Sequence, residues 1–290
     1  IYAVDDACPD GSGRFIEEHN HDPRVRVLYN PQNLGVGGAI VTAYKAAIAD
    51  GMDIVVKIDG DGQMNPALLH HFVRPLLRGE ADYTKGNRFF RPESVQGMPP
   101  VRLFGNAVLS FMTKLSCGYW NIMDPTNGYT AARTCVLAEL PLDKLEQRYF
   151  FETDMLFRLN TVRAVVKDVP MDAVYADEES HLKVGKVLPE FLRKHASRLW
   201  RRYVYSYLVR DFNVGSVYSL VGLVLLTFGL FFGLYGWISG VQHAAPATSG
   251  TVMLAALPVI VGIQCWIAFL HHDVSNVPTE PLSGLLDETD

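Results

Sequence analysis

Two aspartates, Asp59 and Asp61, follow an apolar run in the segment IVVKIDGDGQMNP at residues 54–66. In an extended segment, side chains two apart point the same way, so both carboxylates could face one cation. The flanking glycines let backbone and ligand approach closely. Hard divalent cations such as Mg2+ or Mn2+ take oxygen ligands and commonly keep substrate phosphates in their shell. A cation held by one or two carboxylates and a diphosphate would neutralise a nucleotide leaving group. Asp and Gly are also ordinary turn residues, so an isolated Asp-x-Asp is weak evidence. Here a second acidic pair, Asp5 and Asp6, follows the earlier apolar run IYAV, and two such corners together favour the chemical reading.

The elements that must position these residues alternate along the first two-thirds of the chain. Residues 1–5 and VRVLY at 25–29 read as strands. NLGVGG at 33–38 opens a helical pattern in which Ile40, Val41, Tyr44, Ala47 and Ile48 share one face and Gly51 can cap the end. Residues 54–59 form the next strand, and DYTKGNRF at 82–89 another. This rhythm predicts an α/β sandwich with a mainly parallel sheet. Ligands bind such sheets beyond the carboxyl ends of the strands, where both acidic pairs fall. NLGVGG lacks the GK[ST] of a P-loop and does not fit G-x-G-x-x-G, so a phosphate cradle and a glycine-rich turn both stay open. His70–His71 and His271–His272 are adjacent pairs, which do not share a helix face, and are not read as metal ligands.

The chain has 290 residues and a formal net charge of −5. That length suits one catalytic-size domain plus a further part, and mild acidity gives no electrostatic case for nucleic acid. Cys8, Cys117, Cys135 and Cys265 form no CxxC pair and read as reduced thiols. Residues 212–272 contain no Asp, Glu, Lys or Arg. Within them, about 214–238 and 251–270 are each long enough to cross a hydrocarbon core of about 30 Å, with Pro258 tolerable as a kink. The short uncharged link between them makes a helical hairpin. Lys183, Lys186, Arg193, Lys194, Arg198, Arg201, Arg202 and Arg210 precede the first span, which places the large domain and the tail at 273–290 on the cytoplasmic side. Residues 186–211 set Leu192, Ala196, Leu199, Tyr203 and Tyr207 on one helical face and Lys194, Arg198, Arg201 and Arg202 on the other. Such a helix is expected in the lipid interface, its cations near anionic headgroups.

VDDACPDGSG (4–13), NLGVGGAI (33–40), IDGDGQMNP (58–66), KGNRF (85–89), DPTNGYTAAR (124–133) and FFETDML (150–156) occur in this order. Together they make the chain resemble a family 2 glycosyltransferase of the GT-A fold, a Rossmann-like nucleotide-diphospho-sugar transferase domain. The resemblance is strongest to the membrane-bound polyprenyl-phosphate glycosyltransferases, the dolichol-phosphate mannose synthase-like group, and covers residues 1 to about 190. It implies that Asp5 and Asp6 contact the nucleoside, with Asn33 and Gly35 also on the donor side. It implies that Asp59 and Asp61 engage metal and diphosphate, and that Gln63 helps coordinate the metal. Arg88 falls in a segment where a cation can meet phosphate, and Asn127 and Gly128 fall in the acceptor-side loop. Glu152 and Asp154 match an acidic acceptor-side motif, although acids also suit the first turn of a helix on dipole grounds alone. Near residue 177 relatives carry Arg before G-x-S-K. Here YADEESHLK puts Ser180, His181 and Lys183 in that neighbourhood, and Lys183 or Arg88 could contact a phosphate.

The family's opening strand and P-x-Y-N-E segment have no counterpart here, and the chain starts at Ile1 inside a strand-like run. The expectation is that N-terminal sequence is missing. The domain layout expected is a catalytic domain at 1–185, an interfacial helix at 186–211, two spans within 212–272 and a tail. The activity implied is metal-dependent, inverting transfer of one sugar from a UDP- or GDP-sugar to a polyprenyl phosphate at the plasma (inner) membrane. Two alternatives stand beside it: a transferase that extends a glycan directly, with Glu152 or Asp154 as base, and a non-catalytic membrane scaffold. No QxxRW-type motif of a processive synthase is present. Self-association is compatible with two spans that cannot alone build a path across the lipid.

Overall fold

Short runs rich in Val, Ile, Ala and Thr form the strands, as β-branched and small residues should on a half-buried pleated surface. The computed structural model describes residues 1–90, 100–172 and 184–287. β1 (Tyr2–Asp5) and β2 (Arg26–Tyr29) pair in parallel, joined through α1 (Ser12–His19). After α2 (Val36–Ala49), a second sheet is built from β3 (Ile54–Lys57), β4 (Tyr83–Asn87), β5 (Thr130–Arg133) and β6 (Val166–Pro170), in the order β3-β5-β4-β6. Helices α3 (Leu69–Leu77), α4 (Pro100–Cys117), α5 (Thr134–Ala138) and α6 (Phe151–Thr161) connect them.

This sheet is mixed, which corrects the expectation of a mainly parallel one. β4 and β6 are parallel, but β5 runs antiparallel to both β3 and β4. The register gives the physical reason. Thr130 opens β5 opposite Lys57 and Lys85, so the chain enters β5 from the carboxyl ends of its neighbours and must run back. Residues 124–129 are thereby delivered to the end of the sheet where Asp59 and Arg88 leave it. Beneath them Phe72 and Tyr129 stack at 3.9 Å in a core that includes Leu76, Ala131, Val165 and Val169. Each large side chain buried in this way stabilises the fold by about 1.5–3 kcal/mol.

The chain divides into two units, Ile1–Trp200 with Pro278–Asp290, and Arg201–Val277. The globular unit therefore extends past the boundary expected at 185. Helix α7 (Val184–Tyr203) belongs to it as far as Trp200. Two of its basic residues, Lys194 and Arg198, turn inward instead of towards headgroups, while Arg193 and Arg201 are exposed. Lys194 pairs with Glu146 at 2.8 Å and Arg198 with Asp154 at 2.5 Å. His195 Nδ1 meets Ser116 Oγ at 2.9 Å, and burial pushes its imidazole down to about 4, so it stays neutral. Leu192, Leu199 and Trp200 are exposed as well. Amphipathic spacing could not show this, because the carboxylates that draw in the cations lie about forty to fifty residues earlier in the chain. The tail expected at 273–290 is not free either. Helix α8 (Val214–Gln242) and helix α9 (Ser249–Ser275) come first, and then α10 (Leu282–Asp287) packs on α5. The Leu282 and Ser283 amides both donate to the Asp82 carboxylate at 2.8 Å, and the Val165 amide joins them at 2.7 Å.

In the second unit Asn213 caps α8, accepting from the Gly215 and Ser216 amides. The two helices have 29 and 27 residues, each about 40 Å long at 1.5 Å per residue. Gly215, Gly222, Gly229 and Gly236 recur every seven residues along α8. A Cβ on Gly222 would stand 3.1 Å from the Gly262 carbonyl, and one on Gly229 2.8 Å from that of Ala255. The helices thus close on a stripe of small residues, the device that lets helices pack without a hydrophobic driving force. Arg202 pairs with Asp273 at 2.6 Å, and Tyr207 donates to the same carboxylate.

Candidate active site

The strand β3 stops at Lys57, two residues short of Asp59, and the backbone turns at Gly60 and Asp61. The expected extended alternation through Asp61 is therefore replaced by a turn. Asp61 is exposed, and its Oδ1 accepts from the Gln63 amide at 2.9 Å. Asp59 is held differently. Lys57 Nζ lies 3.0 Å from Asp59 Oδ1 and 3.4 Å from Glu152 Oε1, and the lysine side chain is only 7% exposed. Glu152 comes from the first turn of α6. Gly128 closes the other side of the corner. A Cβ there would stand 2.3 Å from Asp59 Oδ2 and 2.7 Å from Lys57 Nζ, so any larger residue would force both side-chain ends to shift. Sequence reading passed over Lys57. Its signal was a lysine in an apolar strand, two residues before Asp59 and hence on the same face.

Arg88 does not project alone. Its Nε and Nη2 donate to the two oxygens of Asp124, at 2.7 and 3.1 Å, and its backbone amide donates to the same carboxylate. Asp124 is fully buried and the Arg88 side chain about one-third exposed. The Asn127 side chain accepts from the Tyr129 amide and reaches Asp124, while its carbonyl accepts from Lys85 Nζ. Burial pushes the Lys85 ammonium down to about 8. Burial also pushes the Asp168 carboxyl up to about 6, although the Met123 amide donates to it, and the Asn87 side chain donates too. Asp124, Lys85 and Asp168 were not singled out from the sequence, since their partners are distant in the chain.

The first acidic pair is bound up with neighbouring loops. Asp5 accepts from the Cys8 and Gly13 amides, both at 2.7 Å, and those amides hold its carboxyl below the usual range. Asp6 accepts from the Asn30 side chain and from the Leu34 and Gly35 amides. Both carboxylates thus tie down the loops at 6–13 and 30–35. Asn33 is exposed on the second of these loops, and Gly35 sits at φ +82°. The open question about NLGVGG resolves as a packing turn. The Gly37 and Gly38 amides donate to the Gln147 carbonyl, and a Cβ on Gly37 would collide with the Glu146 carbonyl at 2.3 Å. Those amides are not available to a phosphate.

Asp154, expected beside Glu152 as an acceptor-side acid, is wholly buried. It accepts from Arg158 Nε at 3.0 Å, Arg198 Nε at 2.5 Å and the Glu146 amide. It fastens α7 to α6 and stands away from the corner, because successive helix positions two apart face differently. Lys183, Ser180 and His181 lie outside the described residues. Among the described residues no three His, Cys, Asp or Glu side chains converge on a metal position. A cation at the Asp59–Asp61 turn would therefore take at most two protein carboxylates, with Gln63 adjacent, and complete its shell from ligand and water.

Comparison with known proteins agrees with this architecture. A profile described as glycosyl transferase family 2 matches residues 1–140. The chain is 30% identical over 176 residues to the undecaprenyl-phosphate mannosyltransferase of Micrococcus luteus, covering 60% of this chain and 71% of that protein. It is 28% identical over 190 residues to the UDP-N-acetylglucosamine–dolichyl-phosphate N-acetylglucosaminyltransferase of Methanococcus voltae, covering 61% and 75%. Among solved structures, glucosyl-3-phosphoglycerate synthase of Mycobacterium tuberculosis with UDP is similar at a TM-score of 0.48 and 20% identity, covering 68% of each chain. The globular unit has the GT-A architecture that the motifs implied, and the chain belongs to glycosyl transferase family 2.

Proposed function

We propose that the protein moves one sugar from a nucleotide diphosphate sugar to a polyprenyl phosphate at a membrane, with inversion at the anomeric carbon. The observation that carries this reading is the corner at the end of β3. There Asp59 lies against Gly128 and Lys57, Lys57 also pairs with Glu152, and Asp61 is exposed on the adjoining turn. The donor set is all hard oxygen, which fits Mg2+ or Mn2+ better than a softer metal. Asp59, Asp61 and Gln63 would hold the ion, and it would neutralise the departing diphosphate.

The protein's own residues do the rest. Lys57 keeps Asp59 in place, and the Gly128 turn holds donor and acceptor loops together at one sheet end. A lipid phosphate oxygen is already ionised near neutral pH, so it can attack without a strong general base. Catalysis then rests on positioning and on charge stabilisation. The burial of Asp154 supports this, because it leaves Glu152, paired with Lys57, as the one member of the FETD segment at the corner. Arg88, one-third exposed and steadied by Asp124, is placed to meet a phosphate.

The acceptor class follows from the two relatives, whose names specify polyprenyl phosphates, and from the hairpin. The most apolar stretches of α8 and α9 are only 17% and 6% buried, which is unlike the core helices of a soluble protein. Residues 201–277 are inserted between two parts of one globular unit. Both ends of the hairpin then lie on the same side of the membrane, and the basic residues flanking it support the cytoplasmic side. The test supplies membranes carrying the protein with labelled UDP- and GDP-sugars and undecaprenyl phosphate. Label extracted into the organic phase, in acid-labile phosphodiester linkage, is the expected product. Label confined to a water-soluble or polymeric glycan would instead establish direct glycan extension.

A further inference from the structure

We infer that Lys57 is a positioning residue for this reaction: clamped between Asp59 and Glu152, its ammonium fixes the Asp59 carboxylate and sets the charge of the corner, so that a divalent cation is held without repelling the incoming nucleoside diphosphate. The inference rests on the proposed transfer reaction. Its starting point is an energetic oddity. Burying a cation is costly, and an apolar residue of similar volume is often as good or better for stability. Yet Lys57 is the one charged residue in the strand IVVK, and its side chain is only 7% exposed. Its ammonium bridges two carboxylates from different elements, the β3 end and the first turn of α6. Gly128 leaves room for the ammonium there, since a Cβ in its place would approach Nζ to 2.7 Å.

The charge balance gives the bridge a function. Asp59, Asp61 and Glu152 bring three negative charges to the corner and Lys57 one positive charge. A single divalent cation can then neutralise what is left. Without Lys57, the same carboxylates would attract the cation more strongly. They would also present excess negative charge to the diphosphate, and Asp59 would lose the partner that fixes its Oδ1. The two ligands should therefore respond in opposite directions when the ammonium is removed.

The experiment titrates Mn2+ into purified full-length protein, followed by electron paramagnetic resonance, and measures the donor KM separately. For Lys57→Met, the Mn2+ Kd should fall about tenfold while the donor KM rises about tenfold. A purely structural lysine would weaken both. The double variant Lys57→Met/Glu152→Gln removes one charge of each sign. It leaves no uncompensated buried carboxylate, so it should fold even where the single variant does not, and its Mn2+ Kd should return to within about threefold of the parent value. Lys57→Arg should recover most of the donor KM. Unchanged Mn2+ and donor affinities in Lys57→Met would overturn the role of Lys57 and leave the transfer reaction standing, as would parallel weakening that the double variant does not repair. A parent protein that transfers sugar but binds no Mn2+ would overturn the cation reading, and this inference with it.

Discussion

Two acidic pairs follow two strands of the globular unit, and the structure treats them in opposite ways. Asp5 and Asp6 receive four backbone amides and one side-chain amide between them. Asp59 and Asp61 receive one lysine and one local backbone amide as close polar partners, and the second pair is the more exposed. A carboxylate saturated by backbone donors is a loop fastener, because leaving those donors unpaired would cost more than any ligand contact returns. A carboxylate left with open lone pairs at the end of a strand can take a ligand. The same residue type thus ties down loops in one corner and keeps open lone pairs in the other.

That contrast predicts where substitutions act. The largest effect is expected at Asp59→Asn or Asp61→Ala, where turnover should fall about a thousandfold with the thermal midpoint almost unchanged. Near-normal turnover would remove the ligand role from the second pair. Next comes Gly128→Ala. Its Cβ would displace Asp59 and Lys57, and a misplacement of that kind should cost about a hundredfold in kcat. Full activity would show that the corner tolerates a different geometry.

Asp6→Ala should behave in the reverse sense, losing about 2 kcal/mol of stability through unpaired donors, seen as a lowered thermal midpoint with the donor present or absent. An unshifted midpoint would break the distinction between the pairs. The smallest and most specific effect concerns Asp168. Burial pushes its folded pKa up to about 6, above the ordinary carboxylate range, so the folded state binds the proton more tightly. The contribution of Asp168 to stability should be fully present below about pH 4 and be lost as pH rises through about 6, by roughly 3 kcal/mol at most. Asp168→Asn should flatten that decline in denaturant titrations run across the pH range.

Particular residues show how much of this was legible in the sequence. The Asp59–Asp61 corner, the Glu152 segment and the two long apolar helices were visible because each is a local pattern: a strand followed by acids and glycines, a helix start, an uncharged run. β5 was not read as a strand, and a mainly parallel sheet was expected without it, because its direction depends on where residues 118–129 bring the chain back. The partners of Asp154, Lys194 and Arg198 were out of reach for a related reason. A cation face on a helical wheel looks the same whether it meets lipid headgroups or carboxylates elsewhere in the protein, and for Lys194 and Arg198 the partners are Glu146 and Asp154. Lys57 was the residue most within reach, since strand periodicity alone puts it beside Asp59.

The most direct single measurement follows labelled sugar into extracted lipid from membranes carrying the full-length protein or its Asp61→Ala variant, with Mn2+ or with EDTA. Label that appears with Mn2+, disappears with EDTA and is absent from the variant is the predicted result. Equal lipid label in all four conditions would contradict it, showing that the Asp59–Asp61 corner neither holds a cation nor serves the transfer.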